Sequence, residues 1–342
     1  MTFARLLSLG LSIGLLANSA AATAAEKVNW NWSLYGPPRA VTVCMEHLAK
    51  VAKEKSGGNF IINLKYNEQL GDAKDMLDGL KVEAFHGAFT AYSYAPAKTP
   101  LQGVLDMPFL PLGDLVAQSK IQDEFQQWKP VKDELARWNA QHFLTILLPQ
   151  YEFMGTGKAP QNLEDWKGMR VRALGGLGDA MKLLGAVPTS VSAPEVYTGL
   201  ERGTFQAASF PFAYSFTSYK LHEVSKWYTL GMHLGIVHNS LNLNIKAWEA
   251  LPAEYKKILE EARDEAYKLQ REAYVEADMK SIPLFEKRKL EVVKVSPEMR
   301  QKLISTAGKP VWDKWVADTE AKNLPGKEAL DLVISLAKKH SS

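Results

Sequence analysis

The sequence predicts an α/β protein. Short strand-like runs alternate with amphipathic helical segments along most of the chain, a helix long enough to serve as a crossover separates the first two runs, and at least one run is apolar throughout, as strands buried on both faces are.

In chain order, Val28-Asn-Trp-Asn-Trp-Ser33 alternates as a strand does, and Tyr35-Gly-Pro-Pro38 ends it. Apolar positions from Val41 to Lys55 then recur at helical spacing, and Phe60-Ile-Ile-Asn-Leu-Lys-Tyr66 gives a second strand. A strand, a crossover helix and a strand form a βαβ unit, which implies parallel pairing. Leu70 to Leu80 reads as helix, Ala84 to Ala91 as strand, and Phe143 to Leu148 as a buried strand. A second unit begins near Gly155, with a strand at Met169-Arg-Val-Arg172 and helices over Gly178 to Leu184 and Glu195 to Arg202, the last stopped by Gly203. Ile236 to Ile245 is strand-like. From Tyr255 the apolar positions Ile258, Leu259, Ala262, Ala266, Leu269 and Ala273 mark one face of a helix reaching about Ser281, before Pro283. Such a helix is roughly 45 Å long, more than one small domain needs, so it can span two.

Met1 to Ala25 holds one positive charge, Arg5, an apolar run from Leu6 to Ala17 and the small-residue tract Asn18 to Ala25. That order predicts a cleaved secretory signal, with cleavage after Ala24 or Ala25. The apolar run is about a dozen residues, short of the roughly 20 that cross a bilayer, so the mature protein is expected to be soluble. Cys44 is the only cysteine, which excludes an internal disulfide. The 41 basic and 38 acidic residues give 41 − 38 = +3. With the basic residues scattered, that small excess gives no case for nucleic-acid binding.

Enzyme signatures are missing from the sequence. It has no His-Glu-x-x-His, no Gly-x-Ser-x-Gly and no Cys/His cluster at metal spacing, so no metal or cofactor is expected. Gly155-Thr-Gly-Lys158 lacks the earlier glycine of a phosphate loop, Glu152 standing there, and has Ala159 in place of the hydroxyl residue. The Gly175-Gly-Leu-Gly178 turn lacks dinucleotide spacing. Catalysis by a pair of carboxylates stays open at this level.

Tyr66-Asn-Glu-Gln-Leu-Gly71, Asp106-Met-Pro-Phe-Leu110, Asp165-Trp-Lys-Gly-Met-Arg-Val-Arg172, Gly185-Ala-Val-Pro-Thr189, Pro194-Glu-Val-Tyr197 and Trp248 with Leu251-Pro252 follow one another in an order and spacing that is specific. On these residues the chain resembles the DctP-type solute-binding proteins of tripartite ATP-independent periplasmic (TRAP) transporters. The resemblance covers nearly the whole mature chain. It implies a periplasmic-binding-protein-like fold of two α/β domains with a ligand cleft between them and a long helix spanning both. Domain I would hold residues 26–149 plus 238–279, and domain II 150–237 plus 280–342. It also implies a periplasmic location, a small organic carboxylate as ligand and the membrane subunits of a TRAP transporter as partners. A sensor subunit that presents ligand to a signalling kinase would share the fold and site.

In the resembling family an arginine at the end of the strand after the Gly-Leu-Lys-like turn pairs with the ligand carboxylate, and Arg172 matches it. A guanidinium offers a rigid donor fork suited to two carboxylate oxygens, which a lysine lacks. Arg170, two residues earlier, is read as structural or solvated. Where relatives often carry a second arginine this chain has Glu152, and near their ligand-touching asparagine it has Phe210. Both departures point away from a simple dicarboxylate and toward a ligand with a ring or apolar body, an aromatic or keto acid first. Trp32, Tyr35, Thr90 and Tyr92 fall at strand ends that line the cleft in relatives, and His233 is a remote candidate.

Overall fold

The computed structural model describes residues 26–340, so the secretory signal expected over 1–25 lies outside the described residues. The described strands are β1 (Val28–Ser33), β2 (Phe60–Lys65), β3 (Gly87–Ala91), β4 (Ala140–Ile146), β5 (Tyr151–Gly155), β6 (Arg170–Arg172), β7 (Val187–Thr189), β8 (Ala207–Pro211), β9 (Trp227–Leu230), β10 (Asn239–Asn244) and β11 (Glu291–Lys294). They form a five-stranded sheet, β2-β1-β3-β10-β4, and a six-stranded sheet, β11-β9-β5-β8-β6-β7. The fold is α/β, as expected.

The first βαβ unit has the expected parallel register, Val28 opposite Phe60 and Ser33 opposite Lys65, with β3 parallel on the other side of β1. The sheets are mixed, however. β10 runs antiparallel between β3 and β4, and β5 is antiparallel to β8 and β9. β10 is therefore the strand that returns to the first sheet after the chain has built most of the second.

The predicted elements hold with displaced ends. The helix expected from Leu70 begins only at Met76, after a turn over Ala73–Asp75. Asn67 and Glu68 adopt left-handed backbone there, and the Glu68 carboxylate takes the Ala73 N–H at 2.8 Å, holding the segment as a turn. The strand expected from Ala84 starts at Gly87 because the Ala84 N–H still bonds back to the Gly79 carbonyl.

The long helix differs in both ends. A helix over Ala253–Glu261 stops at Ala262, and a second over Arg263–Lys287 runs through Pro283 instead of ending before it. Pro283 is exposed, and the carbonyl its missing N–H would have bonded belongs to Met279, itself exposed, so water can satisfy it. The 25 residues of the second helix give about 37 Å of length. Its first half is fixed to the first sheet: Gln270 Nε2 donates to the Val41 carbonyl at 3.2 Å, and the Tyr274 hydroxyl donates to that of Leu147. Its second half serves the other sheet, with Asp278 accepting the Ala213 N–H at 3.0 Å and Phe285 packed among Phe212, Phe216 and Tyr228.

The C-terminal helix Gly326–His340 packs on Leu115–Phe125 and on the Pro100–Asp106 turn, both beside the first sheet. Lys339 and His340 reach Glu124 at 2.7 and 2.9 Å. The chain end thus crosses back from the second unit, where it was expected to stay, because its apolar stripe, with Ala329, Val333 and Leu336 buried, finds its partner there.

Candidate ligand-binding site

Between the two sheets lies a narrow cavity. Its first-sheet wall is built from Tyr35 and Arg39 on the loop after β1, Phe89 and Ala91 of β3, Tyr94, and Asn239 of β10. The facing wall carries Tyr151, Arg172, Phe210, Tyr214 and Tyr219. Among the described residues no acidic side chain lines it.

Arg172 ends β6 and is 1% exposed. Its Nε donates to the Val191 carbonyl at 3.1 Å and its Nη1 to that of Ser209 at 2.8 Å, which fixes the guanidinium plane. Among the described residues no protein acceptor is seen for Nη2. The ring of Phe210 lies 4.4 Å from the guanidinium carbon, an electron-rich face against the cation. Arg170 points away, its side chain bonded to the carbonyls of Thr204 and Gly203.

Strand alternation sorts the expected cleft residues. Phe89, Ala91 and, opposite Ala91, Asn239 face the cavity, so Thr90 faces the other way beside Ser240. Tyr92 points with Thr90: its hydroxyl donates to Asn242 at 3.0 Å and its ring stacks on His238 at 5.1 Å. Expectation and structure differ by one residue of register. Trp32 is fully buried against Gly87, in the core rather than on the cavity wall. Tyr35 does line the cavity, stacked on Phe89 at 4.4 Å with its hydroxyl accepting from Asn239 Nδ2 at 3.3 Å.

Glu152 is 1% exposed but lies off the cavity wall. Its carboxylate accepts the Thr229 hydroxyl at 2.6 Å and the N–H groups of Gly231, Met232 and His233 at 3.1, 3.3 and 3.0 Å. Burial still holds its carboxyl above the usual carboxylate range. These donors explain why a carboxylate is tolerated: it organises the turn after β9. His233, with a side chain 53% exposed, stands 3.8 Å from Glu152 on that turn and outside the cavity.

Sequence reasoning missed Arg39, Tyr94, Tyr151, Tyr214, Tyr219 and Asn239. Arg39 follows Gly-Pro-Pro, a break with no periodicity to aim a side chain, and Tyr151 adjoins the glutamate chosen in its place. Burial pushes the phenols of Tyr35, Tyr151, Tyr214 and Tyr219 up, so all four are protonated donors at neutral pH. The Tyr219 hydroxyl and Asn239 Oδ1 are buried without a hydrogen-bond partner. Such groups are costly to leave unmet, and both border the cavity, where a ligand can meet them. Among the described residues no cluster of His, Cys, Asp or Glu is placed to hold a metal ion.

A cavity between two α/β units, fixed by one helix common to both and carrying two guanidinium groups, that of Arg172 buried, defines a binding protein for anionic solutes. The family model of the bacterial extracellular solute-binding proteins, family 7 (DctP), matches residues 39–319, and the chain belongs to that family. The expected kinship with the solute-binding proteins of TRAP transporters is met. Over 89% of this chain and 92% of the relative, it is 25% identical to the 2,3-diketo-L-gulonate-binding periplasmic protein YiaO of Escherichia coli. To the protein YiiZ of Salmonella typhimurium it is 26% identical, over 64% of this chain and 66% of that one. A solved TRAP solute binding protein from Rhodoferax ferrireducens, in complex with copurified benzoate, has a TM-score of 0.84 at 21% identity, covering 92% of this chain and 99% of that one. A marine-metagenome TRAP solute binding protein specific for aromatic acid ligands, with 3-hydroxybenzoate, gives 0.83 at 18% identity over 93% and 100%. The named relatives include periplasmic binding proteins, and among the described residues no helix is long and apolar enough to cross a membrane.

Proposed function

We propose that this TRAP solute-binding protein captures an organic acid with an aromatic or otherwise flat, apolar body, and binds it without transforming it. The observation that carries the reading is the cavity's composition: guanidinium groups, no carboxylate, and walls made of aromatic rings. Arg172, held by two backbone carbonyls, presents its remaining edge to the ligand carboxylate. Phe210, Tyr35 and Phe89 supply flat apolar faces, and Tyr219 and Asn239 take polar substituents. Glu152 and His233 belong to the supporting turn.

Ligand contacts from both walls favour closure of the two units, and the closed form is what the membrane subunits of the transporter receive. The division into domains follows the sheets, with the C-terminal helix returning to the first. That aromatic acids are the ligands of two structural neighbours supports the choice of class.

The test is a thermal-shift screen of the mature protein, stripped of copurified ligand, against aromatic, keto, aliphatic, sugar and zwitterionic acids. Native-state binding raises the melting temperature by mass action. A shift confined to aromatic or keto acids, with the compound recovered intact, is expected. A shift only with sugar acids or zwitterions, or consumption of the compound, overturns the reading.

A further inference from the structure

We propose that the ligand carries two acidic groups, one at each end of a flat ring, and that Arg39 receives the second. This rests on the reading that Arg172 holds the first carboxylate. Arg39 and Arg172 line the same cavity from opposite walls, and among the described residues neither is ion-paired with an aspartate or glutamate. Arg39 is held in place as firmly as Arg172: its Nη1 donates to the carbonyls of Tyr35 and Pro37 at 2.9 and 2.7 Å. Its guanidinium carbon lies 5.4, 5.5 and 5.4 Å from the ring centres of Tyr35, Phe89 and Tyr219. Tyr219 in turn neighbours Phe210 at 5.5 Å, and Phe210 covers Arg172. The two cations are thus joined through one pair of rings across the cavity.

Arg172 is buried and Arg39 half-buried, and two like charges facing one cavity with no counter-charge each gain when an anion pairs with them. A monocarboxylate neutralises one and leaves the other unpaired. A ligand with an acidic group at either end neutralises both, places its ring among the aromatic walls and fastens one unit to the other. Arg39 is therefore a specificity-determining residue, and the ligand class is an aromatic dicarboxylate.

Calorimetric titration of the ligand-stripped protein with benzene-1,3- and benzene-1,4-dicarboxylate, their monomethyl esters and benzoate tests this. At least one diacid is expected to bind about tenfold or more tightly than its own monoester. Arg39→Gln is expected to weaken the diacid more than the ester, so that the diacid's advantage falls to about twofold or less. Equal affinity of each diacid and its ester in the unmodified protein overturns the proposal, with no variant needed. So does a diacid preference that survives Arg39→Gln. Binding of monoacids without any preference for diacids sinks this inference and leaves the aromatic-acid function standing, whereas no binding by any of these acids overturns this inference and confines the proposed function to flat acids without a benzene ring.

Discussion

The two walls of the cavity hold their cations in different ways. Arg172 ends a strand and is anchored by carbonyls of neighbouring chain within its own unit, Val191 and Ser209. Arg39 sits on a loop, and although its hydrogen bonds are local, one of its three ring contacts, Tyr219, belongs to the other wall. The first receptor is complete within one unit, whereas the second draws on both walls. On the proposed closure, Arg172 would supply affinity in either state and Arg39 selectivity only when the walls meet.

Removing the first receptor has the largest expected effect. Arg172→Ala should weaken binding of the cognate acid about a hundredfold or more, because it deletes a charge-assisted fork in a desolvated site. Calorimetry of the variant beside the unmodified protein measures it, and an unchanged affinity removes Arg172 from the site.

Blocking closure comes next. A Cβ on Gly176 would stand 2.7 Å from the Asp106 carbonyl, and one on Gly36 would stand 2.5 Å from the Tyr219 hydroxyl. The first obstacle is backbone and cannot move aside cheaply. Gly176→Ala should cost about tenfold in affinity through a lower population of the closed form, and small-angle scattering should show less compaction on adding ligand. Full compaction in the variant would show that the walls meet elsewhere.

Asp106 sharpens the comparison through pH. Buried beside that junction, it accepts the His238 N–H and the Ser93 hydroxyl, yet burial outweighs both and pushes its carboxyl up to about 7. A folded-state value above the unfolded one means the native protein binds the proton more tightly. Its contribution is fully present below the unfolded value, near 4, and is lost as pH rises through about 7. His238, which burial pushes down, opposes this by costing stability below its ordinary range. The melting temperature of Asp106→Asn relative to the unmodified protein should therefore rise by a few degrees between pH 5 and pH 8. A difference independent of pH would contradict the assignment.

The smallest effect is expected at Tyr219. Its hydroxyl has no protein partner, so Tyr219→Phe should leave the melting temperature within about a degree. Affinity should fall, by about threefold, only for acids bearing a hydrogen-bonding substituent near that ring. An equal loss for plain benzoate would place the hydroxyl on the carboxylate instead.

The same contrast explains what could be read from the sequence. Arg172 was legible through the family resemblance, which marks the arginine that ends this strand; alternation alone would put Arg170 and Arg172 on one face and could not choose between them. The fold class and the bridging helix were legible from periodicity. Arg39, Tyr94 and Tyr214 were not, since turns and loops carry no period that aims a side chain. On β3 the choice of Thr90 and Tyr92 over Phe89 and Ala91 was a slip of one residue, and a strand offers only two faces. Glu152 was singled out by its position, but its three N–H partners come from a turn some eighty residues later, a contact only the fold creates. The return of the C-terminal helix to the first unit is of the same kind.

The most direct test of the account is a crystal structure of the protein with the acid that shifts its melting temperature most. The account predicts the ligand between the sheets, a carboxylate on the open edge of Arg172, its ring against Phe210 and Tyr35, and Glu152 still bound to the turn after β9. A ligand whose carboxylate rests away from Arg172, or one held by Glu152, would contradict it.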